Sequence, residues 1–133
     1  MTNKDNKIKV LLVEDDGFLV KMYETKFALE HFDTDVTEKG KEVVRMAREN
    51  QYEIILLDII LPEMDGWQIL EKLKADEKTK KIPVILLTNL GQEKDMEKGL
   101  ALGAADYLIK AHFTPAEVVD KVKKVLNIST SSI

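Results

Sequence analysis

The stretch "LLVEDD", Leu11–Asp16, carries an apolar segment straight into three consecutive carboxylates, Glu14, Asp15 and Asp16. Together with Val10, the apolar part lacks the alternation expected of a strand with one wet face, so Val10–Val13 reads as a strand buried on both faces. Working outward, the same pattern recurs at Ile54–Leu57, Val84–Leu87 and Tyr107–Ile109, with Thr34–Thr37 as a weaker candidate for an edge strand. A strand of this kind needs a cover on each side. The segments between the runs have helical length and amphipathic spacing.

Asp16 suits the N-cap of the first helix, whose inward stripe is predicted to be Leu19, Met22, Tyr23 and Phe27. "GKEVVRMAREN", "GWQILEKLKAD" and "EKDMEKGLALG" supply three more helices. The last opens at "TPAE", with Thr114 as N-cap, Pro115 as first helical residue and Glu117 as capping-box acid. Strands alternating with helices predict parallel βαβ units with right-handed crossovers, a doubly wound α/β domain of five strands and five helices. The domain is expected over residues 8–127, with disordered ends at 1–7 and 128–133.

Bulk properties narrow the function classes. A chain of 133 residues, 44% hydrophobic and 33% charged, is sized for one core. Its net charge of −4 arises from interspersed acids and bases, not a basic face, which disfavours direct nucleic-acid binding. The absence of cysteine removes disulfides, thiol chemistry and thiolate metal sites. No apolar run approaches the roughly 20 residues of a membrane span, and the polar start "MTNKDNK" lacks a signal peptide's apolar region. A soluble cytoplasmic protein is expected.

In open parallel sheets, ligands bind beyond the carboxyl ends of the strands, where strand order reverses. The residues closing the apolar runs are Glu14, Asp15 and Asp16, then Asp58, then Thr88 and Asn89, then Lys110. Two carboxylates about 5 Å apart at an effective dielectric near 20 repel by roughly 3 kcal/mol, so three cost about 10 before compensation. Lys110 offsets part of this. A protonated carboxyl or a divalent cation can relieve the rest, and hard oxygen ligands with open positions suit Mg²⁺ and a phosphoryl group. Asp58 then reads as an attacking carboxylate, Thr88 as a hydrogen-bonding partner for one phosphoryl oxygen and Lys110 as the cation for another.

The motifs "LLVEDD", "IILLDIILPEMDGWQIL", "IPVILLTN" and "GAADYLIK" resemble, in order and spacing, those of response-regulator receiver domains of two-component signalling, over roughly Ile8–Leu126. The resemblance implies a flavodoxin-like sheet of order 2-1-3-4-5, and an Asp58 that accepts phosphate from the phosphohistidine of a sensor histidine kinase or phosphotransfer protein. It implies Asp15 as a direct Mg²⁺ ligand beside Asp58, Glu14 as its acidic neighbour acting through water, and the Ile60 carbonyl as a further ligand. Thr88 and Tyr107 are implied as the residues that rearrange on phosphorylation. Such a protein catalyses its own phosphorylation and slow hydrolysis and passes the signal to a downstream protein. The face built from the fourth helix, fifth strand and fifth helix, with Lys94, Glu97, Lys98 and Asp106, is a candidate for partner binding or phosphorylation-dependent homodimerisation.

Two positions depart from the pattern. Family members usually carry Pro after the lysine, often after a cis bond, where this chain has Ala111; a cis bond before Ala costs about 2.5–4 kcal/mol, so a trans bond and a different approach of Lys110 is the alternative. The residue after the threonine is commonly small, and here Asn89 is positioned to narrow the route to the phosphoryl group. These departures leave open a second reading, a pseudo-receiver that binds partners without being phosphorylated. A flavin- or nucleotide-binding domain fits poorly, because such sites offer hydroxyls and backbone amides where this chain offers Glu14 and Asp15. Plainer roles are assigned to Asp16 as a cap, to Asp65 and Gly66 as the turn into the third helix, and to His31 and His112 as solvated loop residues. Phe18, off the inward stripe and near the proposed site, is a candidate contact for the phosphodonor.

Overall fold

The computed structural model describes residues 7–128. Most of the two ends expected to be disordered, at 1–7 and 128–133, therefore lies outside the described residues. The order along the chain is β1 (Ile8–Val13), α1 (Gly17–Leu29), β2 (Phe32–Thr37), α2 (Gly40–Glu49), β3 (Ile54–Leu57), α3 (Gly66–Ala75), β4 (Val84–Thr88), α4 (Glu93–Ala101), β5 (Asp106–Ile109) and α5 (Pro115–Val125). A short 3₁₀ turn, Lys110–His112, separates β5 from α5. All strand pairs are parallel, and the sheet runs β2-β1-β3-β4-β5.

The apolar runs lack alternation because each strand supplies both faces of the sheet. Val10, Leu12, Ile54, Leu56, Ile85, Leu87 and Leu108 point to one side, against Tyr23 and Phe27 of α1 and Val118, Val119 and Val122 of α5. Leu11, Val13, Ile55, Leu57, Leu86 and Tyr107 point to the other, against α2, α3 and α4. Period-two geometry thus divides one run between two cores. β2 is the exception. After Phe32 its residues are half-buried or exposed, which explains its weak signal.

Local chemistry sets the helix starts. Asp16 Oδ1 accepts from the N–H groups of Phe18 and Leu19, and Asp65 Oδ1 accepts from Gln68 N–H. Thr114 Oγ1 accepts from Glu117 N–H at 3.1 Å while Glu117 Oε1 accepts from Thr114 N–H at 2.9 Å, so the expected capping box is formed. One expectation is corrected: Met22 is 37% exposed, and Val20 packs against the core in its place. The inward stripe of α1 runs Leu19, Val20, Tyr23, Phe27. Among the described residues, no helix is long and apolar enough to cross a membrane.

Candidate functional site

Sheet order reverses between β1 and β3: the chain leaves β1 for the β2 edge and returns on the other side. The site lies beyond the carboxyl ends of these central strands. Glu14 follows β1 directly and Asp58 follows β3 directly. The ladder is extended by one bond past each strand end, with Glu14 N–H donating to Thr37 O at 3.1 Å and Asp58 N–H donating to Val13 O at 3.2 Å. Both acids are thereby fixed by backbone before their side chains make any contact.

The side chains converge on Lys110. Its Nζ donates to Asp58 Oδ2 at 2.7 Å and lies 2.6 Å from Glu14 Oε1. Glu14 is 2% exposed and Asp58 5%. Asp15 is exposed, yet one oxygen from each of Glu14, Asp15 and Asp58 lies within 4.8 Å of the others. The second oxygen of each buried acid is tied to backbone: Glu14 Oε2 accepts from Asp16 N–H at 3.1 Å and Asp58 Oδ1 accepts from Ile60 N–H at 3.1 Å. Glu14, Asp15, Asp16, Leu19, Asp58, Ile60, Asn89 and Lys110 line a hollow of about 410 Å³.

Burial raises the Glu14 pKa, against the opposing hydrogen bond and charge of Lys110. Burial alone would lower Lys110, but its bonds to Asp58 and Glu14 outweigh that and raise it, so the ammonium stays charged. Three carboxylates against one ammonium leave the cluster with two excess negative charges. Glu14 Oε1 meets the Lys110 ammonium at 2.6 Å and has no other polar partner among the described residues, a buried oxygen with coordinating capacity to spare. An all-oxygen donor set with this charge fits a hard divalent cation.

Thr88, the last residue of β4, is fully buried, and its Oγ1 accepts a long 3.4 Å bond from Leu90 N–H. Tyr107 is buried at 5% exposure, and its hydroxyl donates to Leu90 O at 2.6 Å. Thr88 and Tyr107 therefore meet at one residue, Leu90, on its N–H and its carbonyl respectively. Gly99 of α4 lets this happen, since a Cβ there would stand 2.6 Å from Leu86 Cδ1 and 2.9 Å from Tyr107 Cδ2. Burial raises the Tyr107 phenol to about 12, with Asp95 and Asp58 adding to the shift.

Glu14, Asp15, Asp58, Thr88 and Lys110, expected from the sequence at the same strand ends, lie there, and Ile60, implied by the resemblance, lines the same hollow. Asp16 is occupied as a cap, and His31 and His112 are exposed. The Lys110–Ala111 bond is trans, as are all peptide bonds among the described residues. Lys110 reaches both acids from that trans backbone. Phe18 is 74% exposed on α1, next to its cap at the rim of the hollow. Two contributions were missed. Asn89 Oδ1 accepts from Ala111 N–H at 3.2 Å, a bond that depends on where the turn after β5 runs. Gly66 packs so tightly that a Cβ would stand 2.5 Å from Asp58 O and Ile59 Cα; its place in an Asp-Gly turn was legible, its contact with the site was not.

Comparison with known proteins agrees with this geometry. Residues 10–123 match the family described as the response regulator receiver domain. The chain is 37% identical over 124 residues to the transcriptional regulatory protein SrrA of Staphylococcus aureus, covering 93% of this chain and 50% of that protein. It thus spans about half the length of that relative. Among solved structures, the receiver domain of the Francisella response regulator 1452 is 31% identical with a TM-score of 0.83, over 91% of this chain and 98% of that one. The receiver domain of the sensor histidine kinase PA1611 from Pseudomonas aeruginosa PAO1, described with a magnesium ion coordinated in its active site cleft, is 29% identical with a TM-score of 0.82 over the same shares. With this fold, these strand-end residues and a match over nearly all its length, the chain belongs to the response regulator receiver domain family.

Proposed function

We propose that the chain is a phosphoacceptor switch of two-component signalling, in which Asp58 takes a phosphoryl group from the phosphohistidine of a sensor kinase or phosphotransfer protein. One observation carries this reading: two buried carboxylates on adjoining strand ends share a single ammonium, with a third carboxylate within 4.8 Å. A purely structural core has no use for such an arrangement, because the excess charge costs stability.

An Asp58 carboxylate oxygen forms the new P–O bond as the donor's P–N bond breaks. The bonding pair stays with the donor's imidazole nitrogen, whose charge is met by a proton from solvent. Asp58 Oδ1 is held by Ile60 N–H and Oδ2 by Lys110, so the nucleophile is oriented before the donor arrives. Glu14, Asp15, Asp58 and the Ile60 carbonyl would hold Mg²⁺, which when bound supplies positive charge to the phosphoryl oxygens. Lys110 pairs with one of those oxygens and the Thr88 hydroxyl donates to another.

Phosphorylation adds roughly −1.5 to −2 charge. Turning the Thr88 hydroxyl toward it breaks the long bond from Leu90 N–H, while Tyr107 holds the carbonyl of the same residue. Leu90 thus links the two switch residues, and the signal passes to the α4–β5–α5 face, where Lys94, Glu97 and Lys98 are exposed for a downstream protein or a second copy of the chain. Phe18 and Met22 give the phosphodonor an apolar contact on α1. The test is labelling with acetyl phosphate and mass mapping of the modified residue. Label is expected on Asp58, dependent on Mg²⁺ and absent from Asp58→Asn; label retained in that variant overturns the reading.

A further inference from the structure

Lys110 is the cation of the hollow, yet its backbone lies past the end of β5, in a three-residue 3₁₀ turn whose next two residues, Ala111 and His112, are exposed. A side chain whose Nζ must sit within hydrogen-bond distance of two carboxylates needs a fixed starting point. Inside the turn, Phe113 N–H donates to Lys110 O at 3.3 Å. Across to the neighbouring strand end, Ala111 N–H donates to Asn89 Oδ1 at 3.2 Å. Thr88 and Ile109 are register partners in β4 and β5, so Asn89 and Ala111 stand just beyond the last paired position, at side-chain reach. Asn89 also lines the hollow with Lys110, Asp58 and Glu14.

The two departures noted in the sequence are therefore the two halves of one hydrogen bond. Ala111 has an N–H to give, which proline lacks, and Asn89 has the carbonyl oxygen to receive it, which a small apolar residue lacks. We infer that Asn89 is a positioning residue: its side-chain oxygen clamps the turn through Ala111 N–H and so fixes the backbone from which Lys110 reaches Asp58 and Glu14. Asn89 acts on phosphoryl transfer through Lys110 and need not touch the phosphate. The inference rests on the reading of Asp58 as the phosphate acceptor.

A single neutral hydrogen bond at the surface contributes modestly, so removing it should change a rate or an exchange equilibrium by about three- to tenfold. The experiment has two arms. In the first, amide exchange of Ala111 is measured by NMR in the metal-free protein for wild type, Asn89→Ala and Asn89→Asp. Exchange should accelerate by that factor in Asn89→Ala and return toward wild type in Asn89→Asp, which keeps an oxygen acceptor. In the second, the rate of acetyl phosphate labelling with Mg²⁺ should fall by a similar factor in Asn89→Ala while its melting temperature stays at the wild-type value. Unchanged Ala111 exchange in Asn89→Ala overturns the clamp, as does faster exchange with an unchanged labelling rate. Slower labelling without faster exchange also overturns it, since that assigns Asn89 a direct contact with phosphate. If wild type takes no label on Asp58, the phosphoacceptor reading fails, and the exchange arm still decides whether the bond holds the turn.

Discussion

At the residue scale, Glu14, Asp58 and Lys110 form a buried triad in which each group restrains the others. Removing one partner would strand a buried charge, so the residues around the triad report on it more cleanly than the triad itself. Gly66 is such a residue: its N–H donates to Ile59 O at 2.7 Å, and any Cβ there collides with the backbone of Asp58 and Ile59. Gly66→Ala should destabilise the fold by about 1–3 kcal/mol and slow labelling of Asp58, because the strain falls on the peptide that aims the carboxylate. Urea unfolding and the labelling rate check this, and a variant matching wild type in both would show that α3 yields instead. Tyr107 gives a pH prediction. Burial, then Asp95 and Asp58, raise its phenol from 10.0 to about 12. A group raised in the folded state contributes stability that is whole below its unfolded pKa and is lost as pH rises through its folded one. The stability difference between wild type and Tyr107→Phe should thus be constant below pH 10.0 and shrink toward pH 12. Using the difference removes Tyr52 and Tyr23, whose phenols are raised by burial as well. A flat difference across that window would mean the phenol is not confined as its bond to Leu90 O implies.

At the element scale, the caps and the sheet divide the work. The box at Thr114 and Glu117 starts α5 immediately after the turn that carries Lys110, yet it shares no atom with the acidic hollow. Thr114→Ala should cost about 1 kcal/mol in urea unfolding and leave the labelling rate of Asp58 near wild type; a large loss of labelling would mean that the cap, as well as Asn89, sets the turn. Elements of this kind were legible because their signals are local. Four buried strands announced themselves as unbroken apolar runs, and Asp16, Asp65, Thr114 and Pro115 marked helix starts by chemistry that needs only neighbours in sequence. β2 was faint because no residue after Phe32 is fully buried, so Asp33, Thr34, Asp35 and Thr37 can interrupt its apolar pattern. Met22 was misplaced because Met22 and Val20 lie on opposite borders of the same helical stripe, and only packing against β1 and α5 decides between them. The site divides along the same line. Glu14, Asp58, Thr88 and Lys110 were readable because a parallel sheet delivers strand ends to one place. The bond from Ala111 to Asn89, the approach of Gly66 to Asp58 and that of Gly99 to Tyr107 were not, because each depends on ångström-scale distances between separate elements that only the packed fold sets.

At the scale of the whole molecule, the acidic hollow sets the stability of the fold against its function. Two carboxylates at about 5 Å repel by roughly 3 kcal/mol at an effective dielectric near 20, and Asp15, being exposed, contributes only a solvent-screened part of that, about 1 kcal/mol. Glu14 and Asp58 are held by Lys110, but Asp15 has no cation among the described ion pairs. Asp15 should therefore be the residue at which charge repulsion and metal affinity separate most clearly. In chelator, Asp15→Asn should melt above wild type by about 4 °C, since roughly 1 kcal/mol of repulsion is removed from a domain of this size. Adding Mg²⁺ should raise the wild-type melting temperature in proportion to the logarithm of free metal, because the cation binds the assembled strand ends and not the unfolded chain. The variant should gain much less, so the two curves should cross as Mg²⁺ increases. Differential scanning calorimetry across a Mg²⁺ series tests the crossing. Parallel curves would mean that Asp15 is not a ligand, and a variant that melts below wild type in chelator would mean that its carboxylate is a structural acceptor. A crossing would show that the fold tolerates strain at its strand ends for which metal, and then phosphate held by Lys110, are the compensating partners.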